Sequence, residues 1–145
     1  MRACVAVFAV FAVFAVFAVV ALSMGATPAA AQPPAPVPIP ETPAGTPVTM
    51  FVEDPAIVNA YPTRPQAWSR LPGDRSVRLH FTIGTPDCYG VTVATSETED
   101  HVVVDLKTGT LPTAVDRACI MIALSGGLDV PLHYPLGDRP VLSAT

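Results

Sequence analysis

Lysine occurs once in this chain, at Lys107, and tryptophan once, at Trp68. Arginines are few and scattered, so no basic patch is expected to hold phosphates, and nucleic acid and anionic lipid are expected to be poor partners. No Cys-x-x-Cys occurs, which removes the usual thiol redox motif. The glycine patterns of nucleotide sites, Gly-x-Ser-x-Gly and His-Glu-x-x-His are missing as well. Beyond residue 22 there is no second long apolar run.

The one long apolar run covers residues 3–22, twenty uncharged positions built on a Phe-Ala-Val repeat. Its length would span a bilayer. Its surroundings read instead as an export signal. Met1-Arg2 supplies a short positive end, and Ala29-Ala30-Ala31 forms an A-x-A cleavage pattern ahead of Gln32. Interfacial aromatics and flanking cations, the marks of a retained anchor, do not follow Leu22. Residues 1–31 are therefore expected to be a signal peptide cut between Ala31 and Gln32, with an uncleaved signal-anchor as the alternative. No stable membrane insertion is expected after cleavage. The remaining chain has seven basic and twelve acidic residues, a net charge of about −5.

Residues 32–47 read QPPAPVPIPETPAGTP, with seven prolines in sixteen positions. Proline fixes φ and removes the backbone donor, so neither helix nor ladder is expected here. The segment is expected to be a disordered, extended linker with roughly 50 Å of reach at about 3.1 Å per residue. It is either a spacer or a tail without a task.

Residues 48–145 suffice for one core. Apolar residues alternate at 77, 79, 81 and 83, again at 89, 91 and 93, and again at 102, 104 and 106, which is the period of half-buried strands. These three runs, with turn-like residues between them, predict an antiparallel meander. In it Ile83 opposes Tyr89, and Ser96 opposes His101. ACIMIAL, residues 118–124, lacks a polar stripe for a surface helix and is expected to be a buried strand. Ser125-Gly126-Gly127 would then turn it into a hairpin with residues 128–132. Residues 112–116 can hold one helical turn, and residues 48–53 and 141–143 a first and a last strand. Residues 56–73, broken by prolines, are expected to be irregular, with Tyr61 and Trp68 as a lid on an open end. The fold class is all-β: a small antiparallel β-sandwich, immunoglobulin-like in architecture but not in sequence pattern.

Cys4 falls within the signal, so Cys88 and Cys119 are expected to pair in an oxidising compartment. Closing a loop of that size is worth about 3–4 kcal/mol. Three histidines raise a metal site, but the expected register separates His80 from His101 by about 13 Å along the strands and by two strands across. Zinc nitrogens must lie about 2 Å from one point. His80, His101 and His133 are therefore expected to face solvent. Glu97, Glu99 and Asp100 form an acidic turn without the bend or spacing of a calcium loop. No catalytic residue, cofactor site or metal site is assigned, and the chain is read as a non-enzyme.

LHFTIGTPDCYGVTV (residues 79–93), DRACIMIAL (116–124) and VPLHYPLGDRPVL (130–142) resemble small exported actinobacterial proteins of the mycobacterial type. The resemblance implies export and transfers no site residue, because no activity is attached to that group. Two functions are carried forward. One is a secreted or cell-envelope binding module, directed at a protein or cell-wall partner. The other is a secreted protease inhibitor presenting a disulfide-braced loop near Cys88, at Thr85-Pro86-Asp87-Cys88.

Overall fold

A computed structural model of the chain describes residues 34–145. The expected signal peptide and its cleavage point at Ala31 and Gln32 lie outside the described residues. The described part is a β-sandwich. Its strands are β1 (Val37–Pro38), β2 (Thr49–Phe51), β3 (Val58–Pro62), β4 (Ala67–Arg70), β5 (Ser76–Ile83), β6 (Tyr89–Glu97), β7 (Val102–Thr110), β8 (Leu124–Pro131) and β9 (Val141–Ser143). A single 3-10 turn, Pro112–Ala114, takes the place expected for a helical turn.

One sheet runs β2-β8-β5-β4; in the other, β9, β6 and β3 all pair with β7, and β1 pairs with β9. The pairs β2–β8 and β7–β9 are parallel, so both sheets are mixed rather than purely antiparallel. The alternating residues build the core as the two-residue period requires. Val77, Leu79 and Phe81 of β5 and Leu128 and Val130 of β8 face Val91 of β6 and Val102, Val104 and Leu106 of β7. Phe51 and Phe81 meet with ring centroids 5.9 Å apart.

The meander divides. β5 and β6 lie in different sheets, because both edges of β5 are occupied, one by β4 and the other by β8. Residues 67–70, expected to be irregular, are the strand that takes one of those edges. Within the β6–β7 hairpin the register differs by two residues from the expected one, with Glu97 opposite Val102 and Thr95 opposite Val104. A shift of two keeps every side chain on its face. The turn sets it: the Thr98 N–H donates to the His101 carbonyl at 2.9 Å, and Thr98 Oγ1 accepts from the His101 N–H at 3.1 Å.

The expected hairpin at Ser125-Gly126-Gly127 is replaced by one continuous strand. Residues 118–123 belong to no strand, and β8 runs straight through the glycines. They serve close approach rather than a turn. A Cβ at position 126 would stand 2.6 Å from Phe81 Cε2, and one at 127 would stand 2.5 Å from Val48 Cγ2.

The Pro-rich segment also departs from expectation. Val37 and Pro38 pair with β9, the Ile39 N–H donates to the Val141 carbonyl, and the Ile39 side chain is buried. The chain then passes to the other sheet, where Glu41 bridges Trp68 in parallel. The Pro40 carbonyl accepts from the Trp68 N–H at 3.0 Å, and the Thr42 N–H donates to the Trp68 carbonyl at 2.7 Å. Proline is tolerated on an edge strand, where its missing donor points away from the ladder. On the opposite side, Glu53 just beyond β2 bridges Val91 of β6. Segments 37–42 and 49–54 thus each join one sheet to the other, covering edges that would otherwise be open to other chains.

Candidate functional site

β6 starts at Tyr89, beside Cys88, and ends at Glu97, about 26 Å away at strand rise. Those two positions mark opposite ends of the sandwich, and each end carries a distinct cluster.

At the first end Cys88 and Cys119 form a disulfide with a Cα–Cα distance of 6.2 Å. The Cys88 side is buried and closed on itself. The N–H groups of Cys88 and Tyr89 both donate to the Thr85 carbonyl, at 3.1 and 3.0 Å, and the Cys88 carbonyl accepts from Leu111. Arg117 Nη2 donates to the Asp87 carbonyl at 2.9 Å and holds the two limbs together. The Cys119 side is open. Ala118 and residues 120–123 are exposed, with Ile120 at 63% and Met121 at 92% of full exposure. The loop ACIMIAL, expected in the core, is therefore mostly an apolar surface. Its one internal bond is a bend at Met121, where the Ile122 N–H donates to the Ile120 carbonyl at 3.2 Å. The reason lies in the bridge. Cys119 is held to the start of β6, while the chain must next enter β8 at Leu124, opposite Ile83; the residues between span that gap across the surface. Beside this end lies a groove of about 420 Å³ lined by Phe51, Val52, Pro86, Tyr89 and Leu111.

At the second end Glu97, expected in an acidic turn, closes β6 with its side chain nearly enclosed, 5% exposed against 10% for Arg139. Glu97 Oε2 accepts from Arg139 Nη2 at 3.1 Å, and Oε1 accepts from the His133 N–H at 2.6 Å. Arg139 donates further to the carbonyls of Thr98, Pro135, Tyr134 and Leu136. Burial pushes the Glu97 carboxyl up, but bonds from the His133 N–H, Arg139 and the Tyr134 N–H outweigh it and hold the group below the ordinary glutamate value. A groove of about 650 Å³ lies over this pair, with Tyr134 and Asp138 on its walls. Since Glu97 and Arg139 spend their polar atoms on the protein, they clamp segment 133–139 to the β6–β7 turn.

His80 also departs from expectation. It is buried, not solvent-facing: Ser69 Oγ lies 2.8 Å from His80 Nε2, with Ser69 at 1% and His80 at 7% exposure. Burial, then the nearby Arg78 guanidinium, lowers the His80 pKa, while Asp129 opposes the shift. A serine so enclosed meets no substrate, so this is a satisfied polar pair. Arg78 and Asp129, joined by two bonds at 2.6 and 2.9 Å, lie on the same face. His133 is exposed near Glu97, and His101 sits in the β6–β7 turn. Among the described residues no three His, Cys, Asp or Glu side chains converge as a metal site would require. Trp68 is buried in β4 and gives its indole N–H to the Ile39 carbonyl, whereas Tyr61 is exposed, so they form no common lid.

Comparison of the chain with protein-family models, curated proteins and solved structures finds no match. The disulfide is compatible with an extracytoplasmic location, where such bonds form and persist. Among the described residues no helix is long and apolar enough to cross a membrane. Sequence reasoning missed Ile120, Met121 and Ile122 as surface residues. The signal for them was Cys119 itself, which ties the head of that run to a point outside the sheet that the run was expected to join.

Proposed function

We propose that the chain is an exported, non-catalytic binding domain of the cell envelope or the extracellular space, contacting a protein or wall component through the loop between Cys119 and β8. The observation that carries this reading is the exposure of Ile120, Met121 and Ile122 on a segment anchored at both ends. An apolar patch held in place invites a partner, because ordering was completed during folding and is not repeated on binding. The export signal read from residues 1–31 and the bridged cysteines support the location.

The test is retention of the exported protein on isolated cell envelope, compared with a Met121→Asp variant. Retention of the parent and loss of the variant to the soluble fraction support the reading. Equal behaviour of the two, or protein found in the cytoplasm with free thiols, ends it.

A further inference from the structure

The open segment has a shape, an anchoring and a chemistry that narrow the partner. Met121 is the most exposed of its neighbours and sits at a bend, with Ile120 and Ile122 on either side. Two residues upstream of Met121 the chain is fixed to Cys88 through sulfur. Three residues downstream it is fixed by pairing of Leu124 with Ile83. From Ala118 to Leu124 there is no charge. Such a tethered strip carries no charge to set the register of a second copy, which is therefore a poor occupant. Its setting also suits lipid badly: the chain is acidic, and the one nearby cation, Arg117, is engaged by the Asp87 carbonyl. A narrow cleft that takes a preformed turn around one projecting side chain fits it best.

We propose that the segment is a substrate-like inhibitory loop, with Met121 entering the primary pocket of an endopeptidase that prefers large apolar residues. This rests on the reading of the loop as the binding surface and names the class of its partner. The physics is preorganisation: a peptide already held in its bound shape avoids the ordering that weakens a flexible substrate. The anchoring also resists turnover. If water added across the Met121–Ile122 peptide bond, the new carboxyl end would remain tied to Cys88 through Cys119. The new amine end, at Ile122, would remain two residues from β8. Neither end could leave the cleft freely, and the contacts would persist. The turn Thr85-Pro86-Asp87-Cys88, the other limb of the bridge, is less open, because Cys88 is buried and its N–H and that of Tyr89 both donate to the Thr85 carbonyl.

The experiment uses the full chain, expressed for export and purified with its disulfide intact, together with Met121→Gly and Met121→Lys. Met121 is exposed, so both variants should fold, and equal thermal midpoints verify it. The parent should inhibit chymotrypsin at near-equimolar ratio, and Met121→Gly should weaken this at least 100-fold. Met121→Lys should lose chymotrypsin and acquire trypsin, whose primary pocket is acidic. Inhibition that both variants retain, rapid cleavage between Met121 and Ile122 with release of active enzyme, or no inhibition of any apolar-specific endopeptidase would overturn the proposal. So would co-sedimentation with phosphatidylcholine vesicles that Met121→Asp abolishes, which would assign the loop to lipid. If inhibition fails while envelope retention still depends on Met121, the inhibitor is lost and the binding domain stands.

Discussion

The indole N–H of Trp68 donates to the carbonyl of Ile39 at 3.1 Å, across twenty-nine positions of chain. That bond ties a proline-rich segment to β4, the edge strand of its sheet, and makes the segment part of the folded unit. Ile39→Ala should therefore destabilise the protein by about 2–4 kcal/mol, as for other buried isoleucines cut to alanine. A chain starting at residue 43 should show red-shifted Trp68 fluorescence and a lower denaturation midpoint. Unchanged unfolding in urea would mean that residues 37–42 are dispensable.

The bridge between Cys88 and Cys119 encloses a long loop. Replacing both by alanine should lower stability by about 3–4 kcal/mol at 25 °C on the chain-entropy estimate. Segment 118–123 should then exchange its amide hydrogens faster, while the amides of β5 and β7 keep their ranking. Thiol titration of the exported protein cleaved after Ala31, unreduced and unfolded, should find no free sulfhydryl.

The Glu97 and Arg139 side chains are largely enclosed together at the edge of a groove, so removing one leaves the other without its partner. Arg139→Ala should cost about 1–3 kcal/mol, the range for a hydrogen bond to a charged group left unmade at a partly buried site. The double variant with Glu97→Gln should recover part of it, and a double-mutant cycle measures the coupling. Because the Glu97 pKa is depressed in the folded state, its contribution is present at neutral pH. It is lost as the pH falls through the ordinary glutamate range and below.

His80 acts in a separate pH window. Its pKa is lowered in the folded protein, so the unfolded chain binds a proton first as the pH drops below about 6.5. Stability should therefore decline from that point downward until the folded state also takes up its proton. His80→Gln should flatten this part of the curve and leave the acid limb, where Glu97 titrates, in place. A slope between pH 6.5 and 5 that is the same in both proteins would remove His80 as its source.

Gly126 is small because Phe81 fills the space beside it. Gly126→Ala should cost about 1–3 kcal/mol through overpacking of a core that has no room to yield. Urea unfolding reads it directly.

Much of this molecule is legible in the order of its residues. Alternation in β5, β6 and β7 marks which side chains face inward, because a strand turns each successive residue to the opposite side. The partnership of the two cysteines follows from their number once Cys4 is assigned to the signal. Strand partners are another matter, since alternation says which face is buried and not which neighbour covers it. β4 and β8 claim both edges of β5, so β6 must cross to the second sheet. Gly126 and Gly127 look like a turn until Phe81 and Val48 are seen pressing on them. Ile120, Met121 and Ile122 have the composition of a core strand, yet their place is decided by where Cys119 is tethered and where Leu124 must pair. Local chemistry specifies each residue's preference for oil or water, and only the closed arrangement of the chain decides which preferences go unmet.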